Sequence, residues 1–142
     1  MDTVDCGSWA ELEAPATAVR RAVFVAEQGV DESEELDGRD ADAHHVVAYE
    51  DGTPVGTARL RLVDDAVAKA ERVAVVEAHR ETGVGTALMA AVEDIATERG
   101  ATRMRLHAQT RVREFYERLG YEAVGEEFEE ADIPHVAMVK EL

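Results

Sequence analysis

At 142 residues the chain has the length of one domain (1-142), enough to bury roughly two-thirds of its unfolded surface around a single core without disulfides or metals. Its 31 acidic against 15 basic residues give a net charge of −16, a sign that disfavours nucleic acid and acidic membranes as partners and suits amine-bearing ligands. The same balance, rich in alanine and valine with Lys69 and Lys140 the only lysines, fits a protein kept in solution in a concentrated-salt, halophilic cytoplasm.

The stretch Met1-Asp2-Thr3-Val4-Asp5 has neither a basic start nor a long apolar run, so no signal peptide or membrane span is predicted and the location reads as cytoplasmic. Thr3 to Gly7 reads as a strand holding the lone Cys6, a packing residue or free thiol. Ser8-Trp9-Ala10-Glu11 matches a capping box, Pro15 starts or kinks the helix that follows, and Val19, Val23 and Ala26 recur on its apolar face. Gly29 ends it. The run from Asp31 to Asp42 is too charged for a core element and reads as a solvated connection.

His45 to Glu50, Pro54 to Val63 and Val67 to Val76 read as three strands of an antiparallel meander, the first turn carried by Asp51-Gly52 and the second by Asp64-Asp65. A helix from about Thr86 to Arg99 places Leu88, Val92 and Ile95 on one stripe with Met89 and Ala96 at its edges, and Gly100 closes it. Arg103 to Ala108 is a strand, Val112 to Leu119 a short helix, Tyr121 to Phe128 another strand. Ile133-Pro134 turns the chain into the last, His135 to Glu141. The order predicts an α/β (α+β) domain with a sheet of about seven strands flanked by helices.

Within that order, Arg80-Glu81-Thr82-Gly83-Val84-Gly85 joins an apolar strand to a helix start. Backbone N–H groups at such a junction face outward and the helix dipole favours negative charge, so the place suits phosphate, with Arg80 as a forked donor at the rim. Glycine there lets a pyrophosphate approach the backbone. Leu88 stands where a dinucleotide fingerprint wants its third glycine, and Thr86-Ala87 follows Gly85 where a P-loop wants lysine, so both those nucleotide folds are excluded.

These residues resemble the GNAT superfamily of acyl-CoA-dependent N-acetyltransferases, with Arg80 to Gly85 standing as its Arg/Gln-x-x-Gly-x-Gly/Ala. Phe115-Tyr116-Glu117-Arg118-Leu119-Gly120-Tyr121 is similar to a second family motif, in the expected order. The ElaA-like and YjcF-like branch is resembled through Arg21 to Gln28, Glu35-Leu36-Asp37, Leu106-His107-Ala108-Gln109 and Ile133 to Met138, nearly the whole chain. Glu71 departs from the branch, which usually has glycine there, and a local difference in strand packing is expected.

The resemblance implies a mixed, mostly antiparallel sheet splayed at its middle, with acetyl-CoA in the V between the Val67 to Val76 strand and the Arg103 to Ala108 strand. Its pantetheine arm would lie along Val73, Ala74 and Val75, and its diphosphate on N–H groups of Glu81, Thr82, Gly83, Val84, Gly85 and Thr86 beside Arg80. It further implies direct transfer of an acetyl group to an amine of a small molecule or protein in a ternary complex, in a monomer or homodimer. Val75 N–H would hold the oxyanion and Tyr116 would donate the proton to the leaving thiolate. Glu27, Gln28, Glu35, Asp37, Gln109 and His135 match positions of the branch and are the candidate substrate contacts, while His107 reads as either strand packing or function. A CoA-binding sensor or interaction module without chemistry is the alternative. Asp40, Asp42, His44 and His45 lack paired ligand spacing, so no metal is predicted.

Overall fold

In the computed structural model, which describes residues 3–142, the first helix begins where the capping box puts it. Ser8 Oγ accepts from the Glu11 N–H at 3.3 Å and Glu11 Oε1 accepts from the Ser8 N–H at 3.0 Å. Residues 1 and 2 of the N-terminal stretch read above lie outside the described residues. The elements run β1 (Thr3–Gly7), α1 (Trp9–Arg20), a π-helical turn (Arg21–Glu27), the short α2 (Glu32–Glu35), β2 (His44–Glu50), β3 (Thr53–Leu62), β4 (Val67–Val75), α3 (Val84–Glu98), β5 (Arg103–Gln109), α4 (Arg113–Arg118), β6 (Glu122–Glu130) and β7 (Ile133–Glu141). The seven strands form one sheet in the order β1-β2-β3-β4-β5-β7-β6, parallel only between β4 and β5.

Strand alternation decides which helix each strand serves. Val47 points to α1 and packs on Leu12 and Ala16, while its neighbours Val46 and Ala48 join Leu60, Leu106 and Met138 beneath Leu88, Met89, Val92 and Ala96 of α3. The apolar face of α3 is carried by Val84, Leu88, Met89, Val92 and Ala96, and Ile95 is only partly buried beside it. Gly56 lets α3 lie close: a Cβ there would stand 2.8 Å from Val84 Cγ1 and 2.9 Å from Leu88 Cδ1.

Three local expectations are corrected and one alternative is decided. Pro15 lies inside α1, because the capping box sets the first turn earlier. Ala26 is exposed, since the π turn, with Gln28 N–H bonded to Val23 C=O, rotates it off the apolar face and leaves Phe24 to pack beside Val76. Cys6 is exposed. The last turn falls at Ala131 and Asp132, both at positive φ, so Ile133 and Pro134 already belong to β7.

The feature that positions the site lies mid-sheet. β4 pairs with β5 only from Val67↔Arg103 to Ala70↔Leu106. Beyond that, β5 stays with β7 through His107, Ala108 and Gln109, whereas β4 stays with β3 through Ala74 and Val75. A register shift between Thr57 and Arg59 gives β4 an extra residue, and Arg72 takes a φ of 54° there. Such a bulge bends one strand away from its neighbour.

Candidate functional site: the cleft between the splayed strands

The divergence of β4 and β5 opens a cleft of about 1330 Å³. That exceeds the roughly 300–1,000 Å³ of ordinary small-molecule pockets, so it has room for an extended ligand and a second reactant. Val73, Ala74 and Val75 line it from β4, Arg80, Glu81, Gly83, Gly85 and Thr86 from the glycine loop, Tyr116 from α4, and His107, Gln109 and His135 from β5 and β7.

At the loop, Glu81 (φ 62°) and Gly83 (φ 92°) turn the backbone into α3, and Thr82 Oγ1 donates to the His79 carbonyl at 2.5 Å. No side chain caps α3, and its first backbone bond is Ala87 N–H to Gly83 C=O. The N–H groups of Val84, Gly85 and Thr86 thus have no partner inside the helix and suit an anion. The two glycines do different work. Gly83 supplies the left-handed φ, while a Cβ on Gly85 would press on Phe115 Cζ at 3.0 Å, so that position is bare for ring packing. Arg80 is not an idle donor at the rim: Nε donates to the Val75 carbonyl at 2.9 Å, and Nη1 and Nη2 donate to the Glu27 carboxylate at 2.6 and 2.5 Å.

Tyr116 is buried with its ring edge-on to Phe115 and Tyr121. Among the described residues its hydroxyl has no hydrogen-bond partner, and burial pushes its pKa well above the ordinary tyrosine value. It is a neutral donor throughout the neutral range. Tyr121, by contrast, donates to Glu93 at 2.8 Å and belongs to the core.

The acidic loop between α1 and β2 is not a solvated connection. Arg20 and Arg59 are fully buried, and the loop covers them with carboxylates. Arg20 bonds Glu35 at 2.7 and 2.9 Å and Asp40 at 2.7 Å, while Arg59 makes a fork with Asp37, both bonds 2.8 Å. Arg72 adds a second bond to Glu35 at 2.9 Å. Glu35 and Asp37 line the cleft, but their charges are committed to these guanidiniums. The departure at Glu71 is electrostatic: its carboxylate takes Arg61 at 2.5 Å and Arg59 at 3.1 Å with Lys69 at 3.5 Å. Burial opposes its ionisation, yet these three cations hold its pKa down at about 2. Sequence spacing gave no sign of Arg20 and Arg59, because a buried arginine is indistinguishable by position from a surface one.

Gln28, ending the π turn, and Gln109, on β5, exchange side-chain hydrogen bonds across the cleft, Gln109 Nε2 donating to Gln28 Oε1 at 2.9 Å and Gln28 Nε2 to Gln109 Oε1 at 3.5 Å. His135 is buried, its Nδ1 2.6 Å from the Ile133 carbonyl. Glu130 was not among the sequence candidates, and it stands between two histidines, 3.0 Å from His107 Nδ1 and 3.7 Å from His135 Nε2. The alternation of His107 and Gln109 with apolar Leu106 and Ala108 was the available signal. Asp40 and His45 are held by protein groups, His45 Nε2 lying 3.0 Å from the Asp40 carbonyl. Among the described residues no group of three or more His, Cys, Asp or Glu could hold a metal ion, and no helix is long and apolar enough to cross a membrane.

A parallel strand pair parting over an uncapped helix start, with a buried tyrosine in the wall, defines an acyl-CoA-type transferase. Residues 13–142 match the family model for the acetyltransferase (GNAT) domain, and the chain belongs to that family, in its branch with ElaA and YjcF. Its activity class is therefore acyl transfer from an acyl-CoA. The chain is 42% identical over 124 residues to the Bacillus subtilis (strain 168) protein named uncharacterized N-acetyltransferase YjcF, covering 87% of this chain and 88% of that one. The crystal structure of Escherichia coli ElaA superposes with a TM-score of 0.84 at 30% identity over 97% of this chain and 99% of that one. An aminoglycoside 6'-N-acetyltransferase complexed with coenzyme A shares the fold, with a TM-score of 0.77 at 19% identity over 98% and 96% of the two chains.

Proposed function

We propose that the chain transfers the acetyl group of acetyl-CoA to an amine of a small molecule or protein, by direct attack in a ternary complex. The observation that carries this reading is the uncapped start of α3 opening onto the same cleft as the partnerless Tyr116 hydroxyl. Acetyl-CoA, when bound, supplies an acyl carbon activated as a thioester. The amides from Glu81 to Thr86 hold the diphosphate, with Arg80 fixing the loop against β4. β5 leaves this edge of β4 unpaired beyond Ala70, so the backbone groups of Val73 to Val75 not already bonded to β3 or Arg80 can hydrogen-bond the pantetheine arm. Val75 N–H stabilises the oxyanion, and Tyr116 donates its proton to the departing sulfur.

Gln28 and Gln109, with His135 deeper in the wall, border the acceptor. Glu27, Glu35 and Asp37 act through the arginines they hold, Glu27 by fixing Arg80 and the other two by fixing the α1–β2 loop. The protein works in a cytoplasm of high salt, as a monomer or homodimer, without nucleic acid or membrane.

Release of free thiol from acetyl-CoA across a panel of amines, at low and at molar salt, tests the function. Turnover with at least one amine supports it. A rise in melting temperature with CoA but no thiol release from any amine assigns the chain to a binding module instead.

A further inference from the structure

β5 presents alternate side chains to the two faces of the sheet. Leu106 and Ala108 enter the core that also holds Tyr116, whereas His107 and Gln109 face the other side. His107 is the first residue of β5 past its last rung to β4, so it stands at the apex of the splay. Its Nδ1 lies 3.0 Å from Glu130 Oε1. An ionised carboxylate only accepts, so Nδ1 carries the hydrogen and the lone pair of the neutral ring is on Nε2. Among the described residues Nε2 has no hydrogen-bond partner.

The dyad is braced. Phe128 stands edge-on to His107 with centroids 5.0 Å apart and stacks on His135 at 6.1 Å. The other carboxylates facing this part of the cleft, Glu35 and Glu71, are saturated with cations, and His135 is buried with Nδ1 engaged. His107 is the one exposed enough to meet a second reactant and pass a proton to water, its side chain 25% accessible.

We propose that His107, oriented by Glu130, is the general base for the acceptor amine, working from the face of the sheet opposite Tyr116. The proposal rests on the acetyl-transfer reading. Nε2 takes a proton from the acceptor ammonium, freeing the nitrogen lone pair. The N–C bond then forms and the C–S bond breaks. Tyr116 gives its proton to the sulfur and is restored by the proton the new amide nitrogen loses. His107 returns its own to solvent, for a net release of one proton per turnover. Glu130 is a positioning residue, fixing the tautomer and favouring the imidazolium that forms. The charged group against the ring is Glu130 from β6, and His135 from β7 and Lys69 from β4 act on that same carboxylate.

The test combines kinetics with NMR of the imidazole nitrogens. His107→Gln lowers kcat/KM about 100-fold or more at neutral pH and removes the ascending limb of its pH profile, while CoA affinity holds. Glu130→Gln, losing a carboxylate that favours the charged ring, moves that limb to lower pH. In the folded wild type, neutral His107 shows an unprotonated Nε2. An Nε2–H tautomer, a rate profile indifferent to Glu130→Gln, or a folded His107→Gln that keeps the wild-type profile overturns the base assignment while leaving acetyl transfer intact. A wild type that binds CoA but releases no thiol with any amine defeats the transferase reading, and the base role with it.

Discussion

Arg80 and Glu27 are joined by two near-parallel bonds of 2.6 and 2.5 Å at the mouth of the cleft, and the third nitrogen of the same guanidinium is anchored on the Val75 carbonyl. One arginine thereby ties the glycine loop to the tip of β4 and to the end of the π turn. A carboxylate at this spot also repels a diphosphate. Glu27→Gln should therefore tighten CoA binding, and Arg80→Ala should raise its Kd about tenfold, or ~1.4 kcal/mol. The pair is partly exposed, so Glu27→Gln should cost under about 1 kcal/mol of stability. Calorimetric titration of CoA with both variants decides. Unchanged binding in Arg80→Ala removes Arg80 from the cofactor site, and looser binding in Glu27→Gln shows that its hold on Arg80 outweighs the repulsion.

Tyr116 offers a cleaner separation of chemistry from binding. Its hydroxyl has no partner among the described residues to orphan, so Tyr116→Phe should fold as well as the wild type and hold CoA equally. Turnover should drop about 100-fold or more, since only the proton for the leaving sulfur is lost. Because burial raises its pKa, Tyr116 should impose no descending limb on the rate profile below pH 10, as thiol-release assays at stepped pH will read.

Gly56 lies in β3, away from the loop it supports. A methyl group there meets Val84 and Leu88 at under 3 Å, so Gly56→Ala must push the start of α3 off the sheet. The expected cost is about 1–3 kcal/mol in urea unfolding, with weaker CoA binding as the loop amides shift. Wild-type stability in Gly56→Ala would show that α3 has slack against the sheet.

Acid should undo the buried charge network. The Arg59 fork holds Asp37 well below the usual aspartate range, and Glu71 sits at about 2 despite its burial. Carboxylates with depressed folded pKa values contribute stability that is complete above their unfolded values and lost as pH falls through the folded ones. Unfolding free energy should thus be flat near neutrality and fall by several kcal/mol from about pH 4.5 to pH 2. Glu71→Gln should shallow that fall. An unchanged slope would mean that Glu71 keeps its network in the unfolded chain.

What could be read from the residues was local. The capping box at Ser8, the hairpin at Asp51-Gly52 and the strand-glycine-helix junction at Arg80 each depend on neighbours a few positions away, and each stands in the structure. The charged loop misled because its partners are distant: Glu35 meets Arg20 and Arg72, 15 and 37 positions off, and nothing in a run of acids reveals two buried guanidiniums beneath it. Ala26 was misplaced because periodicity assumes an α-helix, and a π turn breaks the period. Glu130 was missed because its significance depends on a strand crossing that brings it to His107.

Four rungs between β4 and β5, begun by the Ala66 carbonyl accepting from the Thr102 and Arg103 N–H groups, are the backbone mortar described between the two blocks of the sheet. A wedge lodged past the last rung replaces the absent masonry with its own amides. The empty chain should accordingly loosen as two blocks, with β5, β6 and β7 exchanging their amide hydrogens sooner, and the loaded chain should melt as one.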